Sequence, residues 1–144
     1  MKLSVVILTH NSSDVIRGCL NSIKTADEII IIDDYSSDST LSLAKLFQPT
    51  IIQNKLSGFS HQRNLGLKQV KSDWVLFLDS DERVPGPLFK EIVRVIKNSP
   101  YSAYQIKRLN YFFTVFWATN LLSIYVGFID SRVISPYIEC VTNI

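Results

Sequence analysis

Apolar residues fall in two rhythms over the first 107 positions of the chain. Leu3–Leu8 (LSVVIL) is a nearly unbroken apolar, β-branched run, the pattern of a strand covered on both faces. Val15, Ile16, Cys19, Leu20 and Ile23 then recur at helical spacing, with Ser13 or Asp14 placed to cap the helix. Glu28–Ile32 (EIIII) predicts a second buried strand, followed by the polar turn Asp33–Ser39. A helix with Leu41, Ala44 and Phe47 on one face is stopped by Pro49, and Thr50–Gln53 predicts a short third strand. After the loop Asn54–Ser60, residues His61–Val70 read as helix and Trp74–Leu78 (WVLFL) as a fourth strand. Pro85 and Pro87 open another helix whose stripe is Leu88, Ile92, Val95 and Ile96. Ser102–Lys107 is a fifth, weaker strand.

Strand and helix in alternation predict an α/β fold: a mostly parallel sheet with helices on both faces. Such sheets take ligands at the carboxyl ends of their strands. Three polar clusters fall there: Thr9-His10-Asn11, Asp33-Asp34 and Asp79-Ser80-Asp81. Beyond Lys107 the periodicity breaks down. Leu109–Ile129 carries no charge and is preceded by Lys107 and Arg108. Its length would just cross a bilayer, which needs about 20 residues. It contains Asn110, Thr114, Thr119, Asn120 and Ser123, however, and polar groups are costly in lipid. Buried strands or a patch lying on a membrane surface fit this composition better than a span.

The chain has 144 residues, 47% hydrophobic and 19% charged, which predicts one folded core and excludes a disordered chain. A net charge of +2, scattered along the sequence, gives no footprint for nucleic acid. Cys19 and Cys140 lie far apart and form neither a zinc motif nor a disulfide framework. Cys19 sits in an apolar stripe and reads as core, in a reduced, cytoplasmic setting. The Leu3–Leu8 run is too short for a secretion signal.

Asp79-Ser80-Asp81 has the strongest chemistry. Two carboxylates in a turn can aim at one hard cation, Mg²⁺ or Mn²⁺, which would neutralise charge on a departing diphosphate. A solvated turn capping the next helix is the plain alternative, but other acids converge on the same edge. In Asp33-Asp34-Tyr35-Ser36-Ser37-Asp38, Asp38 reads as a cap, and the two earlier acids exceed what capping needs. Either could accept the N3–H of uracil or a ribose hydroxyl. Thr9 and Asn11 could meet a base or ribose, or simply make a turn. His10 has no partner that would make it a metal ligand and receives no role. Arg63, early in its helix, could offer its guanidinium fork to a phosphate, or be an ordinary surface arginine. No dinucleotide-binding, Walker A, serine-elbow or HExxH motif is present.

LSVVILTHN, IIIIDDYSSDST and WVLFLDSDE, in that order, resemble the successive motifs of the family 2 glycosyltransferases of GT-A fold. GFSHQRNLGL with SDWVLFLDSDERV is most similar to the lipopolysaccharide-core glucosyltransferase branch. The resemblance covers residues 2–108. It implies a Rossmann-like half, residues 1–108, that binds a nucleotide-activated sugar such as a UDP-sugar. Thr9 and Asn11 would line the base and ribose site, Asp33 or Asp34 would contact the uracil, and Arg63 the nucleotide. Asp79 and Asp81 would hold sugar, ribose and the metal ion. The implied reaction is inverting transfer to a glycan or lipid-linked acceptor in cell-envelope polysaccharide synthesis, with an acidic base farther along the chain. Residues 109–144 depart from the family pattern, offering only Asp130 and Glu139 as carboxylates. They read as a divergent or truncated start of the acceptor half, with the base absent. An inactive nucleotide-binding fragment or partner subunit, prone to self-association or lipid contact, is therefore the alternative. A haloacid-dehalogenase-type phosphatase is disfavoured: that motif opens the first strand, and Arg83 stands where a Thr or Val belongs.

Overall fold

The computed structural model describes residues 1–98, 100–101, 103–106, 111–112, 115–116 and 126–130. Four strands, β1 (Leu3–Thr9), β2 (Glu28–Asp33), β3 (Thr50–Gln53) and β4 (Trp74–Asp79), form the parallel part of the sheet. β1, β2 and β4 follow the β-branched and apolar runs expected of strands buried on both faces, and β3, at the edge, is short and only partly buried. Two further strands join them: β5 (Ala103–Ile106) and β8 (Val126–Asp130), giving the order β3-β2-β1-β4-β8-β5. β8 is antiparallel to both its neighbours, pairing Trp74 with Asp130 and Ala103 with Ile129. The sheet is thus mostly parallel, as the alternating pattern predicts, with an antiparallel edge drawn from the stretch where that pattern fails.

Successive residues of β1 face opposite layers. Val5 and Ile7 pack with Ile31, Leu76 and the helices α1 (Ile16–Ser22) and α4 (Gly86–Ile96). Val6 packs on the other face with Ile30, Ile32 and Val75, under Leu65 and Leu67 of α3 (Phe59–Leu67). Gly66 brings α3 down onto the sheet: a Cβ there would stand 2.4 Å from Val6 Cγ1. The remaining helix, α2 (Thr40–Ala44), continues as a 3₁₀ turn over Lys45–Phe47.

Several expectations are corrected. Neither Ser13 nor Asp14 caps α1; Val15 holds that position, and no side chain bonds the helix end. The Ser12 carbonyl accepts the N–H groups of Val15 and Ile16 instead, so these donors are met by backbone. α3 begins at Phe59 rather than His61, since Gln62 N–H reaches the Gly58 carbonyl. It ends before Val70 because the N–H groups of Gln69 and Val70 tighten to carbonyls three residues back. In α4, Phe89 is the fully inserted core residue beside Ile92 and Ile96, and Leu88 is only partly buried. The fifth strand is found over Ala103–Ile106; Ser102 and Lys107 lie outside the described residues.

Within the uncharged stretch 109–129, β6 (Tyr111–Phe112) and β7 (Val115–Phe116) pair antiparallel, and β8 begins at Val126. Among the described residues no helix is long and apolar enough to cross a membrane. Asp130 lies beside Trp74, at the amino end of β4. Asp79 is the last residue of that strand, roughly 16 Å farther along at the usual rise per residue. Asp130 is therefore at the wrong edge of the sheet to act near Asp79. Glu139 lies outside the described residues.

Candidate functional site

Strand register brings the polar clusters level. Thr9 stands opposite Asp33 on one side of β1, and Leu8 opposite Asp79 on the other. The chain leaves the sheet at these points, so the turns that follow share one edge. They enclose a cleft of about 340 Å³, whose lining includes Thr9, His10, Asp34, Phe59, Asp79 and Asp81. Among the residues singled out from the sequence, Thr9, Asp34, Asp79 and Asp81 thus meet at one cleft. Arg63 reaches it through Asp79, its guanidinium 3.4 Å from Oδ1. Asn11 and Asp33 do not line it.

Asp33 is fully buried. Its carboxylate accepts the Ser36 N–H and hydroxyl and, at 3.3 Å, the Gln53 amide, so it locks the turn from inside. Asn11 braces the same turn: its N–H donates to Ser36 Oγ and its Oδ1 accepts Ser37 N–H at 2.8 Å. The brace holds two non-glycine residues in the left-handed region, Asn11 at φ 44° and Tyr35 at φ 48°. Asp38 closes the turn. Its carboxylate is held well below the usual range by the Thr40 hydroxyl first, then by the N–H groups of Thr40 and Ser13.

Asp34, one residue on, faces the cleft. Its Oδ1 accepts Leu56 N–H at 2.9 Å, tying the loop after β3 to the turn after β2. Its backbone carbonyl lies 2.7 Å from His10 Nδ1, and Oδ2 lies 3.7 Å from the same nitrogen. A carbonyl can only accept, so Nδ1 carries the proton; Nε2 then accepts from the Asn11 amide at 3.2 Å. These contacts orient the His10 ring and make it a wall of the cleft, a role the sequence did not reveal. Thr9 Oγ1 is buried without a hydrogen-bond partner, which in a native structure calls for an explanation.

The acidic turn is anchored along α1. Ser80 Oγ meets Ser12 Oγ at 2.8 Å, and Val84 N–H donates to Ser22 Oγ. The Arg83 guanidinium lies on Gly18, where a Cβ would stand 2.3 Å from it. Cys19 Sγ points at the Asp79 carbonyl; burial, with Glu82 adding to it, pushes this thiol up to about 12. Asp79 N–H is taken by the Glu82 carboxylate at 2.8 Å, which leaves the Asp79 carboxylate for Arg63 and the cleft.

These groups fit a hard divalent cation shared with a ligand. Asp79 keeps 37% of its side chain exposed, and Asp81 is exposed. Among the described residues no cluster of three or more His, Cys, Asp or Glu could hold a metal ion. A closed, all-protein site is therefore not built here. One or two carboxylates, with phosphate oxygens and water completing the shell, is the usual arrangement for Mg²⁺.

The Glycosyl transferase family 2 model matches residues 4–138. A glycosyltransferase of Rickettsia typhi, itself uncharacterized, is 31% identical over 97% of the chain, which spans only 45% of that relative. Among solved structures, Staphylococcus aureus TarS 1–349 in complex with UDP-GlcNAc superposes with a TM-score of 0.72 at 24% identity. It covers 92% of the chain and 46% of its own length. The mannosyltransferase PcManGT of Pyrobaculum calidifontis, in complex with GDP-Man and Mn²⁺, gives 0.64 at 21% identity, covering 74% of the chain and 36% of its own length. At these identities the two structures establish the shared α/β fold.

Proposed function

The chain belongs to glycosyltransferase family 2, and on that premise we propose that its cleft binds a nucleotide-activated sugar, a UDP-sugar above all, with Mg²⁺ or Mn²⁺ at Asp79 and Asp81. One observation carries this reading. A carboxylate pair open to solvent and the acceptor face of Asp34 border one cleft, with Thr9 in its lining, at the carboxyl edge of a parallel sheet. The cation would neutralise negative charge on the diphosphate. Asp34 Oδ2 is placed to accept a base N–H, and Thr9 lines the cleft beside it, next to the base and ribose. Arg63 orients Asp79 and adds positive charge beside the phosphates. Asn11 and Asp33 act at one remove, by holding the turn that aims Asp34. The UDP-GlcNAc complex of TarS and the GDP-Man and Mn²⁺ complex of PcManGT support donor and metal alike.

Transfer belongs to the whole protein. The curated relative is about twice as long as the chain, which spans 45% of it. We assign the whole protein inverting transfer to a glycan or lipid-linked acceptor in the cell envelope, following the lipopolysaccharide-core likeness of GFSHQRNLGL and WVLFLDSDERV. By itself, the chain would supply the donor half, residues 1–108, and the start of the acceptor half, residues 109–144.

Calorimetric titration of the purified chain with UDP, with Mn²⁺ or with chelator, tests the donor site. Binding should require the metal. Asp81→Asn should weaken it by about tenfold or more, equivalent to roughly 1.4 kcal/mol, with an unchanged circular dichroism spectrum. Equal UDP affinity with and without metal would overturn the assignment.

A further inference from the structure

We propose that Leu56 and Phe59 form an apolar wall that receives the flat face of the donor's nucleobase; this rests on the nucleotide-binding reading above. Large apolar side chains left in water are few among the described residues, and these two both line the cleft, 44% and 62% exposed. Leu8 and Ile32 continue the apolar lining from the ends of β1 and β2. An apolar surface of this kind, rimmed by polar groups, marks a binding site.

The occupant follows from what surrounds the wall. A diphosphate has no apolar face and a sugar ring only a small C–H patch bounded by hydroxyls, whereas a nucleobase has two flat π faces, and a polar edge besides. Asp34 stands where that edge would be read. Its Oδ1 holds the Leu56 N–H at 2.9 Å, so wall and reader are fixed to one another. Phe59 and Arg63 are four residues apart on α3 and therefore share a helix face. Arg63 leans to Asp79, and Phe59 stands one turn nearer the helix start. The face thus runs from an aromatic ring beside the base reader to a guanidinium beside the acidic turn, the order base then phosphate. Stacking on an aromatic ring tolerates any base, so the wall contributes affinity, and Asp34 the choice among bases.

The test compares UDP with inorganic pyrophosphate, both titrated calorimetrically in excess Mn²⁺ against the full chain. Phe59→Ala should weaken UDP by about 5- to 100-fold, the range for loss of one base–aromatic stack, and leave pyrophosphate unchanged. Phe59→Tyr should bind UDP like the parent, and Leu56→Ser should lose less than Phe59→Ala. Phe59 is mostly exposed, so these variants should melt with the parent. UDP affinity of Phe59→Ala within about twofold of the parent overturns the wall. So does an equal loss for UDP and pyrophosphate, which would mean that Phe59 acts by holding Arg63. A parent chain that binds pyrophosphate but not UDP also overturns it, while leaving the metal site standing. A parent that binds neither ends the donor reading itself, and the wall with it.

Discussion

Replacing Gly66 by alanine sets two effects of known size against each other. Alanine is favoured over glycine inside a helix by about 0.8–1 kcal/mol, so propensity alone predicts a more stable protein. Packing predicts the reverse. The new Cβ would stand 2.4 Å from Val6 Cγ1 and must retreat by about 1 Å to reach ordinary contact. Val6 is fully buried on β1, which is hydrogen-bonded to β2 and β4 on its two sides, so it cannot yield without moving the middle of the sheet. Overpacking costs about 1–3 kcal/mol, and so rigid a neighbour puts this case near the top of that range. The net expectation is a loss of about 2 kcal/mol, seen as a melting temperature lower by roughly 4–8 °C in a chain of this size. Val6→Ala should relieve the clash. Alone it also destabilises, by about 1.5 kcal/mol for the two methyl groups removed, before any cavity cost. Combined with Gly66→Ala it should cost less than the sum, with a coupling of at least about 1 kcal/mol in a thermal or denaturant double-mutant cycle. A neutral or stabilising Gly66→Ala, or strict additivity with Val6→Ala, would refute the close approach of α3 to the sheet.

Two further changes test neighbouring features. Tyr35→Gly should raise the melting temperature: it releases a left-handed strain of about 1–2 kcal/mol, against about 0.5–1 kcal/mol for glycine's extra freedom when unfolded. A lower melting temperature would show that the ring, 59% exposed, nonetheless holds the turn. In a Cys140→Ser background, Cys19 should resist a thiol reagent at pH 8 until the protein is denatured. Its folded value near 12 lies above the ordinary 9.0, so between those values the unfolded chain gives up a proton that the native chain keeps. Stability should therefore fall as pH rises through that window, by up to about 1.4 kcal/mol per unit, and flat stability there would contradict the burial.

β1, β2 and β4 were legible because strands buried on both faces leave unbroken apolar runs, and the acidic and polar clusters sit where those runs stop; β3, a partly buried edge strand, was marked by Pro49 before it and the loop after it. Asp33 and Asp34 could have been told apart on the same grounds. Alternation puts Asp34 on the face of Ile30 and Ile32, toward α3 and the cleft, and sends Asp33 inward with Ile31. The role of His10 was not legible, because it depends on an Asp34 carbonyl 24 residues away. Nor was the failed capping of α1, whose first N–H groups turn to the Ser12 carbonyl instead. Leu56 and Phe59 looked like loop residues, and only the folded chain sets them beside Asp34. The place of β8 was hidden for a related reason: one of its partners, β4, is 50 residues or so earlier, and no local pattern records which strands it will separate.

That separation imposes a sequence of assembly on the nascent polypeptide. β1 to β4 are contiguous in the sheet, so their hydrogen-bond ladders can close once Asp79 has emerged. β5 is made next but has no docking edge of its own, since β8 lies between it and β4. It must wait, unpaired, until Asp130 has emerged and β8 has added to β4. The loop that this closes, from Leu76 to Phe128, is among the long-range contacts that slow folding, and during the delay the free edge of β4 is open to strands of other chains.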